Sequence, residues 1–182
     1  TCMSLLILLI PVRLSLTRIV TLLSSKNWCR VSHGPVLSIN LLGSLRVTKL
    51  ALRLIKRVQG RVVNVSSVAG LYGYPGLSVY CATKHAVGAI TQGLRIDLLG
   101  TMVKASSVAP GLVETECSEV RFRGDADRAG QTYTNFPPLK AEDIAEGVLF
   151  CATRPPHVNV QDMLIMPQDQ AAVYASHPRG VK

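Results

Sequence analysis

From Asn40 onward, the hydrophobic and polar positions follow two alternating patterns, one helical and the other typical of buried strands. Within residues 41–58, apolar residues recur every three or four positions, with five Lys or Arg side chains between them. This pattern predicts an amphipathic helix that ends near Gly60. The segment that follows, Arg61–Ser67, is rich in valine and predicts a strand.

The same alternation continues towards the end of the chain. Val79–Leu99 and Ala141–Ala152 have the apolar spacing of helices, whereas Val103–Ala109 and Val158–Met166 are predicted to be strands. Residues 116–138 form an irregular, charged stretch. Alternating helices and strands indicate the α/β fold class with a doubly wound parallel sheet. In such a sheet, ligands bind beyond the carboxyl ends of the strands.

Residues 1–39 do not follow this pattern, so we treat them as an atypical N-terminal segment and residues 40–182 as the body of one domain. The apolar run at the start is too short to span a bilayer, and its arginines follow it, whereas a signal peptide has its positive charge first. Three interpretations stay open: a mitochondrial presequence, a buried strand over Leu6–Pro11, or a misread frame that rejoins the native sequence near Ile39.

The net charge of +9 is concentrated in the first half of the chain. Residues 1–96 contain twelve Lys or Arg and no acidic residue, whereas residues 97–182 contain eight basic and all eleven acidic residues. A nucleic-acid-binding module would place aromatic rings among its basic residues. Trp28 is the only aromatic residue among the first sixty. The charge therefore does not indicate a nucleic-acid partner.

Five cysteines occur, and no two of them form a Cys-x-x-Cys pair. An odd number of cysteines without such pairs is typical of reduced thiols, so we expect a cytoplasmic protein. No group of His, Cys and carboxylate residues in the sequence has the spacing of a metal site. The sequence also contains no apolar run of the length that a membrane-spanning helix needs, so we expect no membrane partner.

Tyr80 and Lys84 are candidates for acid/base chemistry because they lie four residues apart at the start of the predicted helix Val79–Leu99. This spacing places both side chains on one face of a helix. A phenol with a pKa of about 10 is a poor base at neutral pH, but an adjacent ammonium group lowers that pKa towards the working range. Ser67 and Pro110 lie at the ends of neighbouring predicted strands, so one cleft would collect all these residues.

These candidates belong to two motifs. The first runs from Asn64-Val65-Ser66-Ser67 through Gly70 and Pro75-Gly76 to Tyr80-x-x-x-Lys84, and the second is Pro110-Gly111-Leu112-Val113-Glu114-Thr115. Together they resemble the short-chain dehydrogenase/reductase family over about residues 40–173. The resemblance implies the C-terminal half of a doubly wound, Rossmann-like parallel sheet. Residues 40–182 would then be the catalytic and substrate half of the domain.

By this resemblance, Tyr80 is the catalytic acid/base, Lys84 supports it and hydrogen-bonds the nicotinamide ribose, and Ser67 orients the substrate oxygen. Asn40 matches the family's fourth catalytic residue, a helix asparagine that helps to relay protons to the lysine, although an N-cap would also explain it. Ser66 is a weaker candidate than Ser67 because it alternates to the other face of the strand. The expected cofactor-binding residues are Lys84, Tyr80, Pro110, Gly111, Val113 (through its main chain) and Thr115.

Residues 120–135 and 156–160 resemble the branch of NADP-dependent 3-hydroxy acid dehydrogenases of the serine or allo-threonine type. The resemblance implies hydride transfer between NADP(H), or alternatively NAD, and a small 3-hydroxy acid or related alcohol. Arg121 or Arg123 could clamp the carboxylate of such a substrate bidentately, and either could equally be a solvated loop arginine. The resemblance also implies a homo-oligomer, either a dimer or a tetramer.

The family's glycine-rich turn, Thr-Gly-x-x-x-Gly-x-Gly, does not occur in these 182 residues, nor does its Asn-Asn-Ala-Gly turn. In the family, the glycine-rich turn lets the backbone approach the cofactor pyrophosphate at a helix N-terminus. An alternative therefore stays open: a catalytically silent fragment or a scaffold subunit that lacks the cofactor phosphate site.

Overall fold

The computed structural model describes residues 6–8, 33–115, 125, 127, 130 and 133–178. Within this part of the chain, four strands and four α-helices are joined by turns and loops. In chain order the elements are β1 (Leu6–Leu8), α1 (His33–Leu37), a π-helical segment (Ser38–Gly43), α2 (Ser44–Arg57), β2 (Arg61–Val65), a 3₁₀ turn (Val68–Gly70), α3 (Ser78–Asp97), β3 (Lys104–Pro110), α4 (Ala141–Thr153) and β4 (Asp162–Ile165).

The strands form one sheet in the order β1-β2-β3-β4. Strands β2, β3 and β4 are parallel, and β2 pairs with β3 from Arg61 opposite Lys104 to Val65 opposite Val108. The predicted α/β class with a parallel sheet is confirmed for these three strands. β1 differs, because it pairs with β2 in the antiparallel direction. An antiparallel edge strand on an otherwise parallel sheet is a common arrangement.

The structure describes only a small part of the N-terminal segment. Leu6–Leu8 is a strand, as one of the three interpretations predicted, and residues 9–32 lie outside the described part. The boundary between residues 1–39 and 40–182 stays a prediction. Among the described residues, none of the helices has both the length and the apolar character needed to cross a membrane.

Helices cover both faces of the sheet. Successive residues of a strand point to opposite sides, so neighbouring valines of β2 pack against different helices. On one face, Val62 of β2 packs in a cluster with Ile55 of α2 and Leu98, the residue after α3. On the other face, Val63 lies in a second cluster with Ile144 of α4. Burying an aliphatic side chain of this kind contributes about 1.5–3 kcal/mol. These two clusters fix the helices on the sheet whose edge carries the candidate site.

Two predicted strand boundaries need correction. β2 ends at Val65 instead of Ser67, because the chain turns at Ser67 into the 3₁₀ turn. β4 begins at Asp162 instead of Val158. Here the N–H of Val158 closes a turn onto Pro155 O at 3.0 Å, and the strand starts only after this turn.

Candidate active site

The carboxyl ends of β2, β3 and β4 meet at one edge of the sheet. β3 ends at Pro110, and the N–H of the next residue, Gly111, donates to Ile165 O at the end of β4 at 2.7 Å. One residue beyond the end of β2, Ser66 N donates to Val108 O of β3 at 2.7 Å and so continues the pairing of the two strands. Ser67 therefore lies at the same edge as Pro110, as the sequence predicted.

Tyr80 and Lys84 lie in the first turns of α3, which begins at Ser78. The Lys84 side chain is only 1% exposed. Its Nζ donates to Val65 O at 3.2 Å and to Ser66 O at 3.0 Å, and it lies 5.7 Å from the centroid of the Tyr80 ring. Backbone carbonyls at the end of β2 thus hold a buried ammonium group beside a phenol.

A second contact ties Lys84 to the same strand end. Ser66 Oγ donates to Lys84 O at 3.1 Å, so the lysine is held through both its main chain and its side chain. Gly70 allows this close approach: a Cβ added there would lie 2.6 Å from Ser66 Oγ and 2.8 Å from Lys84 O. The Ser-Ser and Gly positions of the motif therefore set the distance between α3 and β2.

Ser67 has its side chain in a different environment from Ser66. Ser67 is half-buried and extended, and its Oγ accepts a hydrogen bond from Ala69 N at 3.1 Å, which caps the 3₁₀ turn. Ser66, in contrast, is buried and bonded to α3. Of the two serines, Ser67 therefore has the more accessible hydroxyl, and its assignment to the substrate oxygen stays a prediction.

Asn40 lies in the middle of the π-helical segment and is fully buried. It does not take the N-cap position of α2, because the residue before α2 is Gly43. Its Nδ2 donates to Thr83 Oγ1 at 3.0 Å, and Thr83 Oγ1 donates to Tyr80 O at 2.7 Å. Short π-helical insertions occur frequently at functional sites. Sequence analysis identified Asn40 but missed both the π-helical segment and Thr83.

The segment after β3 is held by two side chains for which the sequence predicted no such contact. Gln170 Oε1 accepts a hydrogen bond from Leu112 N at 2.9 Å, and a Cβ added at Gly111 would lie 2.7 Å from that same oxygen. The Tyr133 hydroxyl donates to Thr115 O at 3.2 Å. Both contacts join residues far apart in the sequence, and no local motif predicts them.

Val113 forms an isolated parallel bridge with Leu139. The two hydrogen bonds of this bridge run from Leu139 N to Leu112 O at 2.9 Å and from Glu114 N to Leu139 O at 2.8 Å. They do not use the N–H of Val113. The segment is thus held in place by its neighbours, with the main chain of Val113 at the carboxyl edge of the sheet.

Arg121 and Arg123, the predicted substrate-binding arginines, lie outside the described residues. Their contact with a substrate carboxylate stays a prediction. Among the described residues, no group of three or more His, Cys, Asp or Glu side chains could hold a metal ion.

A comparison with known protein families gives a match to the short chain dehydrogenase family over residues 18–125. The chain belongs to this family. It is 48% identical over 142 residues to an uncharacterized oxidoreductase of Mycobacterium tuberculosis, covering 76% of this chain and 57% of that protein. It is also 42% identical to an NADP-dependent 3-hydroxy acid dehydrogenase of Schizosaccharomyces pombe, covering 74% of this chain and 52% of that protein.

Among solved structures, this chain is similar to the closed form of a serine dehydrogenase complexed with NADP+, with a TM-score of 0.73 and 37% identity. The match covers 79% of this chain and 59% of that one. A second similar structure is serine dehydrogenase from Escherichia coli, with a TM-score of 0.62. The chain thus spans a little over half the length of the curated relatives that it matches, and the resemblance seen in the motifs is confirmed.

Proposed function

We propose that this chain is the catalytic part of an NADP-dependent oxidoreductase that transfers a hydride between NADP(H) and a small 3-hydroxy acid or related alcohol. The observation that carries the proposal is the buried Lys84 ammonium group, held by the carbonyls of Val65 and Ser66 beside the Tyr80 ring. The names of the relatives support the cofactor and the class of substrate, because they include an NADP-dependent 3-hydroxy acid dehydrogenase and a serine dehydrogenase with NADP+.

In the proposed reaction, Tyr80 exchanges a proton with the substrate oxygen. In oxidation its phenolate takes the proton of the substrate hydroxyl while the hydride leaves the same carbon, so that a carbonyl remains. Lys84 stabilises the phenolate through its positive charge. Ser67 donates a hydrogen bond that orients the substrate oxygen, and Asn40 supports proton transfer towards Lys84.

The residues described here suit the nicotinamide half of NADP(H). Lys84 would bind the nicotinamide ribose, and Pro110, Gly111 and Thr115 would line the ring. The main chain of Val113 would contact the carboxamide, which is compatible with an N–H that the bridge to Leu139 does not use. When bound, the cofactor accepts the hydride in oxidation and returns it in reduction. NAD is the alternative cofactor.

A second candidate function follows from the sequence. The 182 residues contain no glycine-rich turn for the pyrophosphate, and such a turn is the family's main phosphate site. A catalytically silent subunit that acts as a scaffold is compatible with this feature. The two candidates differ in whether the chain binds NADPH.

The substrate class makes a prediction about the two loop arginines. In an active, longer form of the protein, Arg121→Ala or Arg123→Ala is expected to weaken kcat/KM for 3-hydroxy acids by roughly ten- to a hundred-fold, because one charge-assisted hydrogen bond to the carboxylate is lost. Uncharged alcohols should change far less. The measurement is kcat/KM for both substrate types, and equal losses on both would mean that these arginines only shape the loop.

The surface of α2 supports a homo-oligomer. One side of this helix exposes a row of aliphatic residues, of which Leu50 is 80% exposed. The row extends along the helix through Val47, Leu50 and Leu54, and continues onto Val58, the residue after α2. Large contiguous apolar patches on a protein surface often mark contacts with another protein, so we propose that a second copy of the chain covers this row.

Leu50→Arg is expected to shift the protein to a lower molar mass, measured by light scattering during gel filtration. The change should not disturb the monomer, because the side chain is already exposed. Phe150→Arg is the matched control: Phe150 is also exposed, but it lies on α4, on the other face of the sheet. If Leu50→Arg has the same molar mass as the wild type, α2 is not the contact between copies.

The cysteines support a reducing compartment such as the cytoplasm. Cys81 and Cys151 are free and buried, and burial raises the pKa of the Cys151 thiol, which disfavours the reactive thiolate. Fractionation of cells that make the protein would test this location, and recovery in an oxidising compartment would contradict it.

A further inference from the structure

Thr83 is a fully buried polar residue to which the proposed mechanism assigns no role. We infer that Thr83 is a positioning residue, whose hydroxyl links the Asn40 amide to the main chain of Tyr80 and so fixes the Tyr80 ring relative to the Lys84 ammonium group. The inference rests on the proposed function, because it gives Thr83 a task only if Tyr80 is the acid/base.

The hydrogen bonds of Thr83 have a defined direction. A carbonyl oxygen can only accept, so the hydroxyl proton of Thr83 goes to Tyr80 O, at 2.7 Å. The remaining lone pairs then accept from Asn40 Nδ2, at 3.0 Å. The reversed amide would place two acceptor oxygens against each other, so this network fixes the amide orientation of Asn40. Both Thr83 and Asn40 are 0% exposed, so water cannot replace either bond.

The position of Tyr80 in the helix explains why this link matters. Tyr80 is the third residue of α3, in a helix end that has no side-chain cap. In an α-helix its carbonyl also accepts from the N–H four residues later, which belongs to Lys84. Thr83 therefore adds a side-chain hydrogen bond to the first turn of α3, at the carbonyl of the residue that carries the ring.

Lys84 Nζ is anchored independently, on Val65 O and Ser66 O of the β2 end. A shift of the first turn of α3 would thus move the Tyr80 ring without moving the ammonium group by the same amount. The distance between them, 5.7 Å from Nζ to the ring centroid, is the quantity that Thr83 would control. Because the attraction between the phenolate and the ammonium falls with distance, loss of the link should make Tyr80 harder to ionise.

The test compares Thr83→Val, which keeps the shape but removes the hydroxyl, with Thr83→Ser, which keeps the hydroxyl. Both are made in the 182-residue chain, with the tyrosine ring carbon Cζ labelled for NMR, and Tyr80→Phe assigns the Tyr80 signal. Thr83→Val should raise the pH of half-ionisation of Tyr80 by about half a unit or more, the scale of one hydrogen bond. Thr83→Ser should restore the wild-type value.

An unchanged Tyr80 titration in a folded Thr83→Val protein would overturn the inference, and so would an equal shift in Thr83→Ser. If Thr83→Val does not fold, hydrogen exchange in the wild-type protein tests the inference instead. The side-chain amide protons of Asn40 should then exchange with water at least about ten-fold more slowly than those of the exposed Asn135, and equal rates would disprove the link. Neither measurement needs cofactor or substrate, so its failure is distinct from failure of the proposed reaction.

Discussion

Replacing Tyr80 by phenylalanine is expected to abolish turnover in a longer form of the protein that joins these residues to a cofactor-binding half. The phenol acts in proton transfer, so its loss removes general acid/base catalysis, which typically raises the rate by roughly 10²–10⁴-fold. The ring remains and keeps its packing beside Lys84, so cofactor affinity should stay within a few-fold. The measurements are kcat and the dissociation constant of NADPH for Tyr80→Phe and the wild type.

Tyr72→Phe is the matched control for this experiment. It removes the same hydroxyl from a tyrosine that is 49% exposed and lies in the loop before α3, and its kcat should equal that of the wild type. If Tyr80→Phe keeps more than about a tenth of the wild-type kcat, the loss is smaller than general acid/base catalysis requires. The assignment of Tyr80 would then be wrong.

The sequence predicted the parallel strands β2, β3 and β4, and the position of Ser67 and Pro110 at their carboxyl ends, because both depend on local patterns. The helical spacing of Tyr80 and Lys84 needs only the start of α3, and the ends of β2 and β3 follow from their apolar runs. The rule that parallel strands present their carboxyl ends at one edge then places Ser67 near Pro110. This reasoning used no contact between distant residues other than the pairing of strands.

Several features that the sequence did not predict depend on long-range contacts or on unusual helix geometry. Thr83 meets Asn40 across 43 positions, and Gln170 meets Leu112 across 58. The periodicity of residues 41–58 indicated one regular helix, whereas the structure has a π-helical segment over Ser38–Gly43 before α2. The spacing of the apolar residues does not reveal this local change of helical pitch. Such contacts become visible only when the elements are packed.

The antiparallel direction of β1 was another feature that the sequence could not provide. A three-residue strand of leucine and isoleucine has no polar position, so its sequence does not distinguish parallel from antiparallel pairing. Its partner residues on β2 are Arg61, Val62 and Val63. The N-terminal segment thus adds a strand to the sheet, but its sequence does not carry the motif by which the family binds pyrophosphate.

The 182-residue chain itself is expected to bind NADP(H) very weakly or not at all, and to show no measurable dehydrogenase activity. It carries the acid/base residues, but catalysis also needs the cofactor placed against Tyr80. The family anchors the pyrophosphate on a strand, a glycine-rich turn and the N-terminus of a helix. None of the fourteen glycines of this sequence forms such a cluster.

The deciding measurement is a binding isotherm of NADPH, followed by its fluorescence, on the purified chain after gel filtration. A complete member of the family, measured under the same conditions, is the positive control. The nicotinamide half alone offers few contacts, and a small part of a ligand cannot supply the affinity of the whole. A dissociation constant in the low micromolar range would therefore contradict the prediction, because it would require residues 1–39 to supply a phosphate site with no glycine-rich turn.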